Sequence, residues 1–189
     1  DLDDLVGAEA DSQSAVLEAA FRKRLELLEY YKDLDVPINP LVLIQLPNKD
    51  SDPGNAKRIA SIEFLASKEI SVQDESNGNG KLAIWLDDEP KAENIDRISN
   101  NNSEIEFLIF KQAIDTGWDC PRAHILVKFR EVKSETFEIQ TVGRILRMPE
   151  QKHYPNALLN QGYVYTNLSK DKIEIVRDDM TYITMNTAR

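Results

Sequence analysis

With 189 residues and 41% hydrophobic content, the chain is long enough for one domain with a buried core, or for a domain with an appended arm. Its 23 Lys+Arg against 33 Asp+Glu leave a net charge of −10, which argues against a nucleic-acid clamp that works by bulk charge; any nucleic-acid contact must be local. A single cysteine, Cys120, excludes an internal disulfide and a multi-cysteine zinc site and fits a reducing compartment. No apolar run is long enough to span a membrane and no charged-then-apolar leader opens the chain, so the expectation is a cytoplasmic protein without a membrane partner.

The chain begins at Asp1 within the acidic stretch Asp1-Leu-Asp-Asp-Leu5, so further parts of a longer protein are expected to precede it. Between residues 13 and 33, Val16, Leu17, Ala20, Phe21, Leu27, Leu28 and Tyr31 recur at spacings near three and four, which predicts an amphipathic helix. We read residues 1–36 as a helical arm or inter-domain linker and 37–189 as the main domain. Leu41-Val-Leu-Ile-Gln-Leu46 is apolar and β-branched, as a strand buried on both faces should be, and Pro47-Asn48 stops it. A helix is expected from Pro53 to Lys68, with Ile59, Ile62, Phe64, Leu65 and Ala66 on its apolar side.

Residues 71–80 have the composition of an exposed, mobile loop. Strands are expected at Lys81–Leu86, Ile105–Phe110, His124–Phe129, Gly162–Thr166 and Lys172–Val176, and helices around Ala92–Ile98 and at Ser134–Met148. Alternating strands and helices predict an α/β domain with a mostly parallel sheet covered on both faces.

Two segments carry chemistry. On the helix expected at 134–148, a rotation of about 100° per residue brings Gln140, Arg144 and Arg147 within roughly 60° of one another, while Ile139, Val142, Ile145 and Leu146 face away. Gly143 flanks the polar face and lets a ligand or neighbouring domain approach closely. Guanidinium groups stay ionised and bond oxygen pairs in a planar fork, which suits the charge on a transferring γ-phosphoryl group. The bland alternative is an ordinary amphipathic helix with a solvated basic edge. Upstream, Phe107-Leu-Ile-Phe110 feeds Lys111-Gln-Ala-Ile-Asp-Thr-Gly117-Trp-Asp119-Cys-Pro121, and open α/β sheets bind ligands where strands deliver such loops. There Asp119 can accept from ribose hydroxyls, Gly117 permits a close backbone approach, and Lys111 and Gln112 can meet nucleic-acid phosphates. A purely structural turn is the competing reading of this loop.

Together, A-x-x-x-G-x-D-x-P, a strand, and Q-x-x-G-R-x-x-R about twenty residues later resemble motifs V and VI of superfamily 2 helicases. The spellings Gly117-Trp-Asp-Cys-Pro121 and Gly143-Arg-Ile-Leu-Arg-Met-Pro149 are most similar to the Res subunit of type III restriction enzymes. The close likeness runs from about Leu41 to Thr166. It implies a three-layer RecA-like fold, the second of two motor domains. It further implies that Asp119 contacts ATP ribose, with Gly117, Gln140 and Gly143 lining the nucleotide site, and that Arg144 and Arg147 act as catalytic residues at the γ-phosphate.

The implied cofactors are ATP and Mg²⁺, held mainly by a P-loop domain, since no G-x-x-x-x-G-K-[ST] run occurs here. The implied partners are that first RecA-like domain, double-stranded DNA and a methyltransferase (Mod) subunit, in an assembly with endonuclease activity. Two alternatives stand beside this: the motor of another superfamily 2 DNA or RNA helicase, or a non-catalytic RecA-like interaction module. Ile84-Trp-Leu-Asp-Asp-Glu-Pro90 imitates a Walker B strand but reads as a strand end and helix start, and we assign no metal site. His124 and His153 lack companions at ligand spacing, and Cys120 is expected to be a packed or partly exposed thiol, not a nucleophile.

Overall fold

The computed structural model describes residues 2–47, 52–74, 78–86, 95–111, 120–129, 137–138, 153–167, 173–174 and 183–187. The chain enters through α1 (Leu2–Asp33) and then alternates β1 (Leu41–Gln45), α2 (Asp52–Ser67), β2 (Leu82–Trp85), α3 (Ile95–Ser99), β3 (Phe107–Phe110) and β4 (Ala123–Lys128). There follow β5 (Phe137–Glu138), a 3-10 turn (Ala157–Asn160), β6 (Gly162–Thr166), β7 (Ile173–Glu174) and β8 (Ile183–Thr187). Six strands form one sheet in the order β2-β3-β1-β4-β6-β8, and every neighbouring pair is parallel. The protein is therefore an α/β fold on a parallel sheet.

The strand order reverses at β1. The chain leaves β1 for the β2 edge, returns to β3 beside β1, and crosses to β4 on the other side. Such a switch point opens a crevice at the carboxyl ends of the strands. Alternate residues of each strand face opposite sides. Val42, Ile44, Phe107, Ile109, Ile125, Val127, Tyr163 and Tyr165 share one core with α1, while Leu43, Leu108, Phe110, Leu126 and Val164, on the alternate positions, are buried too. Both faces of the sheet are thus covered, which is why its strands read as continuous apolar runs.

The helix read from the sequence as an arm is, from residue 12 onward, a layer of the domain. It lies against β1, β4, β6 and α2, and Val16, Leu17, Ala20, Leu27 and Tyr31 enter the core. Its buried stripe at 16, 20, 24, 27 and 31 includes Arg24, 1% exposed, at a place where the period calls for an apolar residue. On α2 the buried stripe is Lys57, Ser61 and Leu65, so Ile59 and Ala66 point outward, Ile59 with 54% exposure. The sequence offers two overlapping stripes on this helix, and the one continuing into buried Ile70 packs.

Both long helices stop in the same way. Asp35 (φ 54°) and Glu69 (φ 63°) adopt the left-handed conformation. Val36 N–H donates to Tyr31 O and Asp35 N–H to Lys32 O, both at 2.9 Å; Ile70 N–H donates to Leu65 O and Glu69 N–H to Ala66 O, both at 3.0 Å. These are Schellman closures, and the apolar contact that accompanies them joins Ile70 to Leu65 in the core.

Three expectations are revised. The start of the 71–80 loop is held, because Val72 bridges Leu82 in parallel at the β2 edge, and a Cβ on Gly80 would lie 2.3 Å from Gln73 N and Val72 O. Phe137–Glu138, expected as helix, is a short strand paired in parallel with Ile173–Glu174, so β7 joins β5 instead of the main sheet. The alternation in Phe137-Glu-Ile139 and Ile173-Glu-Ile175 favours that pairing. Lastly, β8 completes the sheet from Ile183-Thr-Met-Asn-Thr187, whose alternation of Ile183 and Met185 with Thr184 and Asn186 is a strand period that the sequence reading did not use.

Candidate nucleotide and nucleic-acid site

Phe110 ends β3 at the carboxyl rim, where Leu46 N–H donates to Phe110 O at 2.8 Å and joins β3 to β1. Lys111 follows directly and is 9% exposed, more enclosed than an open phosphate contact requires. Gln112, Gly117 and Asp119 lie outside the described residues. The chain is described again at Cys120, immediately before β4, and because β4 runs parallel to β3 that point is at the amino rim. The segment read from the sequence as one loop therefore has its ends on opposite rims, separated by a strand length of roughly 13–20 Å. Lys111 belongs to the carboxyl rim and the neighbour of Asp119 to the amino rim.

The amino rim is a dense polar assembly. Arg122, 0% exposed, donates from Nε to Ile98 O (2.6 Å), from Nη1 to Asn39 O (2.7 Å) and from Nη2 to Ile105 O (2.8 Å). Its own backbone carbonyl accepts from Leu41 N–H at 2.9 Å. One side chain thus gathers the lead-ins to β1, β3 and β4. Burial pulls its pKa down to about 10, with the neighbouring Arg24 charge acting the same way and Cys120 and Glu106 opposing, so it stays charged at neutral pH.

Arg24 reaches the same rim from α1. It donates from Nε to Pro40 O at 3.0 Å and from Nη2 to Asn39 Oδ1, and pairs through Nη1 with Glu106 Oε2 at 3.2 Å. Burial lowers its pKa and Glu106 opposes that shift. Lys81 Nζ meets Glu106 Oε1 at 3.0 Å, and Asn39 Nδ2 donates to Ser103 O at 2.8 Å. Sequence reasoning missed both arginines, although Arg24 stands in the middle of an apolar stripe and Arg122 abuts a strand buried on both faces, two places where a charge signals a specific partner.

Cys120 is fully buried, with Sγ 3.9 Å from Ile98 O, and burial pushes its thiol up to about 11. It is a packed thiol and not a nucleophile. His124, on β4, is buried with Nε2 2.6 Å from Tyr31 Oη and Nδ1 3.4 Å from Gln161 O. Burial depresses its pKa to about 4, so the ring is neutral at neutral pH; a proton on Nδ1 facing the carbonyl leaves Nε2 to accept from Tyr31. His153 is exposed. Among the described residues no group of three or more His, Cys, Asp or Glu could hold a metal ion, and no helix is long and apolar enough to cross a membrane.

Gln140, Gly143, Arg144 and Arg147 lie outside the described residues, as do Asp87, Asp88 and Glu89 of the Walker-B-like stretch. The start of the helix expected to carry the arginines is corrected by β5: Phe137 and Glu138 are extended and are not part of a helix.

No protein-family profile matches the chain, and no solved structure matches it. Among curated proteins, the type III restriction-modification enzyme StyLTI Res subunit of Salmonella typhimurium is 33% identical over 81 residues. The match covers 40% of this chain and 8% of that protein, so the chain spans a small part of its relative's length. The chain is thus similar, in part, to a type III Res subunit.

Proposed function

We propose that the chain is the second motor domain of an ATP-dependent DNA translocase of the type III Res kind. In this reading Asp119 contacts the ATP ribose, Gly117, Gln140 and Gly143 line the nucleotide, and Arg144 and Arg147 stabilise charge on the γ-phosphoryl group. ATP and Mg²⁺ are held mainly by a P-loop domain elsewhere in the protein, Gln112 contacts DNA, and a methyltransferase subunit completes the assembly. The observation that carries the reading is the pairing of A-x-x-x-G-x-D-x-P with Q-x-x-G-R-x-x-R, the first between β3 and β4 and the second after β4 of one parallel sheet. The partial likeness to a Res subunit is consistent with it.

In this reading, closure of the two motor domains on ATP couples hydrolysis to movement along DNA. Chemistry then rests on positioning and charge: guanidinium groups neutralise the developing phosphoryl charge, and the P-loop domain supplies the rest.

The test is ATP turnover by the full-length protein. Arg144→Ala and Arg147→Ala should each lower kcat by about 10³-fold, the low end for an arginine finger, with the thermal transition unchanged. Normal turnover in both variants would point instead to a RecA-like interaction module.

A further inference from the structure

We infer that Lys128 and Gln45 form a subsite for a phosphate group at the carboxyl mouth of the crevice between β1 and β4. The subsite follows from the topology and register of the sheet and draws on no residue of the two motifs.

Chain order fixes where the crevice opens. From β1 the chain moves towards the β2 edge, and from β4 it moves the other way, towards β6. Right-handed crossovers that leave in opposite directions depart from opposite faces of the sheet, which parts the connections above these two neighbours. Gln45 and Lys128 are the last residues of β1 and β4 and are partners in the register, on strands about 4.8 Å apart. Partners in register share a face, here the one that carries Leu43, Leu126 and Val164 one row below. That lower row is fully buried and aliphatic, whereas Gln45 and Lys128 are half-buried. Thr166 of β6 continues the polar row, and towards the β2 edge Phe110 and Trp85 continue it as aromatics.

Among the described residues of the six main-sheet strands, Lys128 is the single Lys, Arg, Asp or Glu. The competing role for a strand-end lysine is to lay its methylenes over apolar neighbours and hold its ammonium in water. Placement favours a ligand. Lys128 stands on a central strand, at the switch point where open α/β sheets take their ligands, and its partner in the row is an amide donor. An ammonium is a compact point charge with three donors, well suited to phosphate oxygens, and the Gln45 amide offers a second donor from the adjacent strand. On a chain of net charge −10, a cation at that mouth also selects where an anion can approach.

A nucleotide and a nucleic-acid backbone present the same oxyanion, and equilibrium binding of ATP and of a short double-stranded oligonucleotide to the full-length protein tells them apart. Lys128→Gln should weaken one of these probes about tenfold, as expected for loss of a charge-assisted hydrogen bond, and Gln45→Leu should weaken the same probe about threefold. A backbone phosphate shows as loss on the oligonucleotide with a salt dependence shallower by about one ion, and a nucleotide phosphate as loss confined to ATP. Lys128→Met keeps an apolar stem without the charge and should match Lys128→Gln. Unchanged affinity for both probes in Lys128→Gln overturns the inference, as does wild-type binding by Lys128→Met. Should neither lysine variant fold, Gln45→Leu decides alone, and unchanged affinity for both probes in that variant overturns the inference.

Discussion

The two rims of the parallel sheet are built from different chemistry. At the amino rim, Arg122, Arg24, Glu106, Lys81 and Asn39 bind main-chain carbonyls and one another, and the closures of α1 and α2 lead into the same region. At the carboxyl rim the last register across the central strands passes from Phe110 to Gln45, Lys128 and Thr166, where aliphatic positions give way to polar ones. A sheet of this kind can satisfy one rim internally and leave the other to ligands and moving partners. The difference teaches that burying arginine is not a sign of phosphate chemistry: the arginines enclosed here hold the scaffold, whereas the pair proposed to act on phosphate belongs to another segment.

The comparison predicts a sharp division between stability and turnover. Arg122→Met should destabilise the chain by about 4 kcal/mol in chemical denaturation, because three buried carbonyls lose their donor at roughly 1–3 kcal/mol each with partial relaxation. The arginine variants proposed to affect turnover should not move that transition. A loss below about 1 kcal/mol for Arg122→Met would show that the amino rim is solvated and erase the contrast.

The next largest effect is titration of His124. Its pKa falls from 6.5 to about 4 on burial, so below pH 6.5 the unfolded state takes up the proton more readily and stability declines until about pH 4. The decline should reach on the order of 3 kcal/mol across that window. Denaturation midpoints for the chain and for His124→Gln between pH 7 and pH 4 measure it, and the variant should lose this part of the slope. Identical slopes would place His124 in contact with water.

Gly80→Ala should cost about 2 kcal/mol, since the added methyl meets backbone of Gln73 and Val72, which cannot turn aside as a side chain would. An unperturbed denaturation midpoint would show that the 71–82 edge is not held by the Val72 bridge. The smallest effect runs the other way. Glu69→Gly should stabilise by about 0.5–1 kcal/mol, the relief of left-handed strain less the added freedom of the unfolded chain. Asp35→Gly should give less, because aspartate tolerates that conformation better than glutamate.

The sequence alone determined the alternation of β1, α2, β2, β3, β4 and β6, because strands buried on both faces are continuous apolar runs and proline, glycine and asparagine mark their ends. It also determined the motif residues, since spacing and residue type are properties of the chain itself. Tertiary structure decided what local pattern leaves open. β8 is a short alternating run whose partner, β6, is fixed only in the fold, while β5 and β7 pair with each other. One of two stripes on α2 is buried, and the supposed arm is a layer because the sheet needs a cover there. The apolar surroundings of Arg24 and Arg122 in the sequence mark them as out of place, but their partners are decided only when the fold brings carbonyls from residues as far as 83 positions away around one guanidinium. Burial and hydrogen-bond satisfaction are set by distant segments, and no local period records them.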